Sequence, residues 1–208
     1  NNQARLVHVN GGGTHTINIE NATFTNNSVK GCGAIFLMDQ SNAGNASAIN
    51  VYGGTFTDNA CLLSSTSYGS GSIARLKSPG ALHFYGGTFA NNTTAAGKNY
   101  EGIYLRDVSQ KLGSNVYVHK LSADLPVYLT PYSAKVFMSR IVVDSALTHT
   151  ISVYIADNRV PAKGMPLVVG TDEYKLTEAD LAMVKSANPK ATFYLDTENN
   201  AICIAKAE

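Results

Sequence analysis

The sequence predicts an all-β protein: a right-handed parallel β-helix of about four coils, followed by a small strand-rich module with one short helix. The main observation is a recurring sequence motif. Its phenylalanines, Phe24, Phe56 and Phe89, lie 32 and then 33 residues apart. A fixed period of this size is typical of a solenoid, in which one supersecondary unit stacks on copies of itself. The right hand follows from the general preference of parallel crossover connections.

Each coil is predicted to contain three strands. The segments before each phenylalanine alternate apolar and polar residues with period two, which indicates strand and not helix. A second short strand precedes them and usually follows a glycine. The coils are expected to span 4–27, 33–59, 71–92 and 101–126, with 28–32, 60–70 and 93–100 as additional loop.

The period-two alternation also predicts which side chains point into the coils. The inward rows are Ile17, Ile49, Leu82 and Val116, and then Ile19, Val51, Phe84 and Val118. The motif ends with an asparagine in three coils, at Asn27, Asn59 and Asn92. Asparagine tolerates the left-handed conformation that a sharp corner requires, and stacked asparagines can bond from coil to coil.

The repeat is lost after about residue 130, which predicts two domains: a β-helix over 1–130 and a small β-rich module over 131–208. Strands are expected at 136–143, 149–155 and 167–169. Thr177 and Asp180 have capping-box spacing, which favours a helix continuing to Lys185. A hairpin is predicted around residues 198–200.

Composition excludes some functions. The chain has 208 residues, 15% of them charged, and a formal net charge of +1 without any basic run, so no nucleic-acid partner is expected. No apolar stretch approaches the roughly 18 residues of a membrane span, so no membrane insertion is expected either. A coil begins by Leu6 with nothing ahead of it to cap the end. This predicts a piece of a longer protein with flanking domains.

The three cysteines form neither a zinc pattern nor a regular disulfide framework. Cys32 and Cys61 both follow the asparagine corner, so a bridge between them and a pair of free, half-buried thiols are both open. Cys203 is expected on the surface or on an edge strand. Neither a cofactor nor a metal is predicted.

Two groups of residues carry a resemblance to a known family. Gly33-Ala34-Ile35 and Gly71-Ser72-Ile73, together with Phe24-Thr25-Asn26-Asn27 and Phe56-Thr57-Asp58-Asn59, resemble the Gly-Gly-x-Ile and Phe-x-x-Asn signatures of pectate-lyase-like β-helix repeats in large bacterial surface proteins. The tail from Val169 to Asp180 is similar to modules that follow such helices in gut Firmicutes. The resemblance implies an extracellular or wall-attached protein, with a glycan or a host or neighbouring cell surface as its partner.

A polar column is predicted at the ends of the first strands. Its members are Asn10, Asp39, Lys77 and Asp107. Successive coils lie about 4.8 Å apart, so the last three would stack with alternating charge. An ion-pair ladder explains this arrangement. The alternative is a catalytic site for acidic polysaccharide, where lyases and hydrolases need clustered carboxylates and a base.

The strands that carry the two inward rows are predicted to have an aromatic surface on their outward side. Its rows are Asn18, Asn50, His83 and Tyr117, and then Glu20, Tyr52, Tyr85 and His119. Aromatic planes bind the apolar faces of sugar rings while polar groups bond the hydroxyls. The alternatives are that the rings only stabilise the sheet through cross-strand pairs, or that the tail packs over them.

Together these features predict a non-catalytic, extracellular β-helix segment of a bacterial surface protein, in an adhesive or stalk role, with glycans as candidate ligands at Tyr52, Tyr85, His83, Tyr117 and His119. The alternative is a fragment of a polysaccharide lyase or glycoside hydrolase.

Overall fold

The first three repeats each contain four short strands, where three were predicted. The computed structural model describes residues 6–10, 12–30, 35–39, 46–62, 71–77, 79–94, 102–107, 109, 112–133, 136–155, 163–187 and 191–206. In chain order the strands of these repeats are β1 (Val7–Asn10), β2 (Thr16–Ile19), β3 (Ala22–Thr25), β4 (Ser28–Val29), β5 (Phe36–Asp39), β6 (Ala48–Val51), β7 (Gly54–Thr57), β8 (Ala60–Cys61), β9 (Ala74–Leu76), β10 (Ala81–Phe84), β11 (Thr88–Ala90) and β12 (Thr93–Thr94). The extra strand follows the asparagine corner, inside segments predicted as loop.

The rest of the described chain adds longer strands and one helix. They are β13 (Ile103–Arg106), β14 (Asn115–Val118), β15 (Leu125–Thr130), β16 (Arg140–Val143), β17 (Ile151–Ile155), β18 (Pro166–Gly170), α1 (Glu178–Met183), β19 (Val184–Ser186), β20 (Ala191–Asp196) and β21 (Ala201–Lys206). The protein is therefore predominantly β, as predicted.

Equivalent strands of successive repeats pair side by side in four sheets. The first sheet has the order β1-β5-β9-β13-β15-β17-β19, and the second has the order β2-β6-β10-β14-β16-β18-β21-β20. The third and fourth sheets are shorter, with the orders β11-β7-β3 and β12-β8-β4. Among the described strands, pairing is parallel except where β21 joins β18 and β20.

Strand pairing is continuous across residue 130, where the sequence predicted a domain boundary. On the first sheet β13 pairs with β15 and β15 with β17, while on the second sheet β14 pairs with β16 and β16 with β18. The recurring sequence motif is absent after this point because the third sheet, which carries its phenylalanines, ends at β11, and the fourth sheet ends at β12. The later segments therefore extend the same two sheets as the repeats.

The core lies between the sheets, and the predicted inward rows of the second sheet are confirmed. Ile17 pairs with Ile49, Ile49 with Leu82, and Leu82 with Val116. Ile49, Leu82 and Val116 are fully buried. Phe56 has no exposed surface, and its ring stacks between Phe24 at 5.3 Å and Phe89 at 4.6 Å.

The corner asparagines form an amide ladder, but they are not the left-handed residues. Asn27 Nδ2 donates to Asn59 Oδ1 at 2.9 Å, and Asn59 Nδ2 donates both to Asn92 Oδ1 and to the carbonyl of Phe24, each at 2.9 Å. The positive φ angles, 55°, 57° and 53°, belong to the preceding residues, Asn26, Asp58 and Asn91. The left-handed residue turns the chain, and this directs the next amide inward, where Asn59 is fully buried.

The C-terminal helix and hairpin are confirmed with small shifts. Helix α1 begins with a capping box between Thr177 and Asp180 and ends at Met183, because β19 starts at the next residue and continues the first sheet. Strands β20 and β21 form the antiparallel hairpin. Cys203 is 1% exposed, since β21 lies between β18 and β20, so its predicted surface or edge position is wrong. Cys61 is buried in β8, and Cys32 lies outside the described residues.

Candidate functional site

The five ring residues predicted on the second sheet form one continuous surface, which we call the tyrosine–histidine strip. It consists of Tyr52, Tyr85, His83, Tyr117 and His119. The strip points away from the core. His83 and Tyr117 alternate with buried residues along β10 and β14, and Tyr52, Tyr85 and His119 directly follow the buried Val51, Phe84 and Val118 that end β6, β10 and β14.

The strip contains two stacks of rings. In one stack Tyr52 lies 4.7 Å from Tyr85, and Tyr85 lies 3.9 Å from His119, with interplanar angles of 13° and 2°. In the other stack His83 lies 4.2 Å from Tyr117 at 5°. His83 on β10 and Tyr85, which directly follows β10, have nearly parallel ring planes with centroids 5.9 Å apart. In-register parallel strands bring these rings to stacking distance.

Stacking determines which parts of the rings can meet a ligand. Rings stacked in successive repeats cover each other's faces. The middle of the strip therefore exposes ring edges, hydroxyls and imidazole nitrogens to solvent. Tyr52 stands at one end of its stack, and the residue in line with it in the previous repeat is the exposed Glu20. Tyr52 is 47% exposed and Tyr85 38% exposed. A flat ligand can therefore stack at the Tyr52 end and bond along the remainder.

Polar side chains flank the Tyr52 end. Asn50 Nδ2 donates to Asn18 Oδ1 at 2.8 Å, in the row next to Tyr52. The exposed carboxylate of Glu20 lies in the Tyr52 row itself. Amide and carboxylate groups beside an exposed aromatic ring provide both donors and acceptors for hydroxyl groups.

At the opposite end the two histidines and an aspartate form a hydrogen-bonded chain. His83 Nδ1 lies 3.2 Å from His119 Nε2, and His119 Nδ1 lies 2.5 Å from Asp144 Oδ2. Asp144 directly follows β16, and Val143 pairs with Val118, so Asp144 continues the row of His119. Asp144 was not predicted as part of this surface, because it lies beyond residue 130, where the recognisable repeat ends. The alternation in Arg140–Val143 was the available signal.

The surroundings of the strip keep its inner groups uncharged at neutral pH. Burial, together with the neighbouring His119, lowers the pKa of His83 to about 4. Burial, Tyr52 and Asp144 raise the pKa of the Tyr85 hydroxyl, which therefore stays protonated. His83 and Tyr85 are consequently neutral hydrogen-bonding groups at neutral pH.

A cavity of about 220 Å³ adjoins the histidine end of the strip. One wall is the end of β14 with Lys120 and Leu121, and the other is the segment 145–148 after β16. Ser145 Oγ donates to the His119 carbonyl at 2.8 Å, and the Leu147 amide donates to the buried Asp180 at 3.0 Å. Both bonds hold the second wall in place.

The predicted polar column is only partly assembled. Lys77 Nζ lies 3.3 Å from Asp39 Oδ1, which is one rung of the ladder. Leu105 pairs with Leu76, so the residue that follows in line with Lys77 is Arg106 and not Asp107. The predicted position of Asp107 is wrong by one residue, because the structure pairs Ile103 with Ala74 and not with Ile73.

Asp107 has a structural role. It is 4% exposed, and its carboxylate accepts hydrogen bonds from the amides of Tyr132, Met138 and Ser139 and from the Ser139 hydroxyl at 2.7–3.1 Å. A buried carboxylate with four donors anchors the segment that crosses from β15 to β16. The structure therefore does not bring Asp39, Lys77 and Asp107 together as a reactive cluster.

The described residues contain neither a metal-binding cluster nor a membrane-spanning helix. No group of three or more His, Cys, Asp or Glu side chains in this part of the chain has the arrangement needed to hold a metal ion. None of its helices has the length and apolarity needed to cross a bilayer. Comparisons with protein-family models, curated protein sequences and solved structures returned no match.

Proposed function

We propose that this chain is a non-catalytic segment of a bacterial surface protein, wound as a right-handed parallel β-helix, and that it binds glycans at the tyrosine–histidine strip. Its location would be extracellular or wall-attached. The observation that supports the proposal most strongly is the Tyr52 end of the strip, where a half-exposed ring stands beside Asn18, Asn50 and Glu20.

The chemistry of this end suits a sugar ring. The apolar face of a pyranose packs on an aromatic plane, and its equatorial hydroxyls reach polar groups at the rim of that plane. Tyr52 is supported from behind by Tyr85 at 4.7 Å, so little side-chain freedom remains to be lost on binding. Along the strip, further sugar units would meet the ring edges of Tyr85 and His119.

A binding role fits the residues better than catalysis. The best carboxylate candidate for a reactive group, Asp107, already accepts four hydrogen bonds inside the fold. Asp39 is paired with Lys77. Glycoside hydrolysis needs two carboxyl groups about 5–10 Å apart on either side of the bond that breaks. The acids in line with Tyr52 are Glu20 and Asp144, and the Tyr52, Tyr85 and His119 rings lie between them.

The proposal is tested by binding of the purified chain to a broad glycan array. The test variant is the double substitution Tyr52→Ala with Tyr85→Ala. The matched control is Tyr132→Ala, since Tyr132 is 46% exposed but lies outside the strip. We expect wild type and control to bind the same glycans and the double variant to lose at least about tenfold in affinity, as expected for two aromatic contacts.

Other outcomes separate the alternatives. Binding that survives the double substitution would move the site away from the strip. Absence of glycan binding by all three proteins would contradict the proposal and favour a stalk without a ligand. Release of reducing or unsaturated ends from a polysaccharide would instead assign an enzyme.

A further inference from the structure

The two histidines of the strip are joined in a way that restricts how many protons they can hold. His83 Nδ1 and His119 Nε2 face each other at 3.2 Å, in rings whose planes differ by 9°. A hydrogen bond at this distance needs one proton between the two nitrogens. Asp144, on the other side of His119, is acceptor-only when ionised, so His119 Nδ1 carries a proton and donates it to Asp144.

Counting protons gives the states that this chain of groups can adopt. In the neutral pair His83 Nδ1–H donates to His119 Nε2, because His119 already uses its own proton toward Asp144. One added proton can be accommodated on either ring, since the bond between them is then imidazolium to imidazole. A second added proton would place N–H against N–H and two positive charges at 3.2 Å. The pair therefore accepts one proton and resists the next.

The groups around the pair favour one positive charge and no more. The pair is surrounded by side chains of three repeats. They are Asn50 and Tyr52 in the preceding repeat, Tyr85, Tyr117 and Lys120 beside the pair, and Val142 on β16 with Asp144 directly after it. Asp144 is the one acid among them, and the Tyr117 and Tyr85 rings stack on His83 and His119 at 4.2 and 3.9 Å. A carboxylate and two aromatic faces stabilise a single imidazolium. Lys120 adds repulsion to a second one.

The cavity beside His119 provides room for a group that would respond to that charge. His119 and Lys120 lie on the same wall of the 220 Å³ cavity. Lys120 is exposed, and no acidic partner lies within ion-pair distance of it among the described residues. When the pair takes up its proton, this wall holds an imidazolium next to an ammonium. That arrangement matches a carboxylate or sulfate group and has no particular match to a neutral hydroxyl.

We propose that Asp144, His119 and His83 form a one-proton site, and that uptake of this proton strengthens binding of anionic glycans at the histidine end of the strip. The second part of the proposal rests on the proposed function, whereas the first part does not. The low pKa of His83, about 4, is consistent with the first part, since it is caused by burial and by the charge of His119.

The one-proton site is tested without a ligand, by long-range ¹H–¹⁵N NMR of the imidazole rings of the full chain between pH 8 and pH 4. We expect His83 to stay neutral until near pH 4 in the wild type. In His119→Tyr, which places the residue type of Tyr85 in that row, His83 should charge at a higher pH, because the repulsion from His119 is removed while the burial of His83 remains. Full protonation of both rings by pH 5, or an unchanged His83 titration in His119→Tyr, would overturn the one-proton site.

The binding part is tested with one oligosaccharide from the array in its sulfated and unsulfated forms, at pH 7.5 and pH 5. We expect the sulfated form to bind about fivefold more tightly at the lower pH, as one added charge at close range in water predicts. The unsulfated form should change by less than about twofold. Lys120→Gln should weaken the sulfated form at both pH values, and His15→Gln, an exposed histidine outside the strip, should change nothing.

The outcomes separate the two proposals. Equal pH responses of the two forms would contradict the anion preference. If neither form binds at any pH while the NMR titration shows one proton, the proposed glycan binding is wrong and the one-proton site stands.

Discussion

The two long sheets each carry a column of stacked rings, yet the two columns differ in exposure. On the first sheet Tyr104, Tyr128 and Tyr154 stack at 5.3 and 4.8 Å. Tyr104 and Tyr128 are only 4% and 8% exposed, whereas Tyr52 and Tyr85 on the second sheet are 47% and 38% exposed. Stacking alone is therefore a property of in-register repeats. Exposure and polar neighbours are what make the tyrosine–histidine strip a candidate site.

Among the ring columns, the buried phenylalanine stack is expected to contribute most to the free energy of unfolding. We expect Phe56→Ala to lower the free energy of unfolding by about 3–5 kcal/mol, because Phe56 is fully buried between two rings. Phe24→Ala should cost less, about 2 kcal/mol, since Phe24 is half-buried with one stacked neighbour. Chemical denaturation measures both. Equal losses would show that the repeats do not differ in packing.

In the same denaturation assay, substitutions in the two tyrosine columns should lower the free energy of unfolding by different amounts. Tyr128→Ala removes a buried ring held between Tyr104 and Tyr154, so we expect a loss of about 2–4 kcal/mol. Tyr85→Ala removes an exposed ring and should cost about 1 kcal/mol, with its main effect on ligand binding. A larger loss for Tyr85 than for Tyr128 would make the strip a structural element.

Lowering the pH is expected to have a smaller effect on the stability of the fold, and this effect should depend on His83 in the strip. The pKa of His83 is about 4 in the folded chain, below its ordinary value near 6.5, so the unfolded chain binds more protons between these values. The stability that neutral His83 contributes is present above pH 6.5 and is lost as the pH falls toward 4. Melting temperatures at pH 7 and pH 5 should therefore differ less in His83→Asn than in wild type.

The matched control for this prediction is His15→Gln, which should keep the full pH dependence of the wild type. His83→Asn introduces the residue that Asn50 supplies in the same row of the preceding repeat, so the backbone position is suited to it. An identical pH dependence in wild type and His83→Asn would contradict the lowered pKa of His83.

The strip was predictable from sequence for a physical reason. Alternation with period two assigns each side chain to one face, and the repeated phenylalanines determine which residues meet across strands. Tyr52, Tyr85 and His119 were therefore placed in one row without any knowledge of the fold. What the pattern does not contain is ring orientation, and hence the finding that most of the ring faces are covered by their neighbours.

The errors arose where the spacing changes. Gly102 has a φ of 94° and occupies the position opposite Ile73, which shifts β13 by one residue and places Asp107 out of line with Lys77. Asp144 was missed because it follows His119 by 25 residues and not by 32 or 33. A glycine-dependent shift or a shortened repeat leaves no trace in a fixed-period alignment.

The amide ladder at Asn27, Asn59 and Asn92 has a mechanical consequence. Its hydrogen bonds, like those of the parallel strands, point from one repeat to the next, so tension along that direction acts on the interfaces between repeats in series, and the weakest interface breaks first. Under such tension the repeats would open singly, and a 32-residue repeat would release roughly 110 Å of extended chain. A segment built in this way can lengthen stepwise while the repeats still folded keep their surface intact.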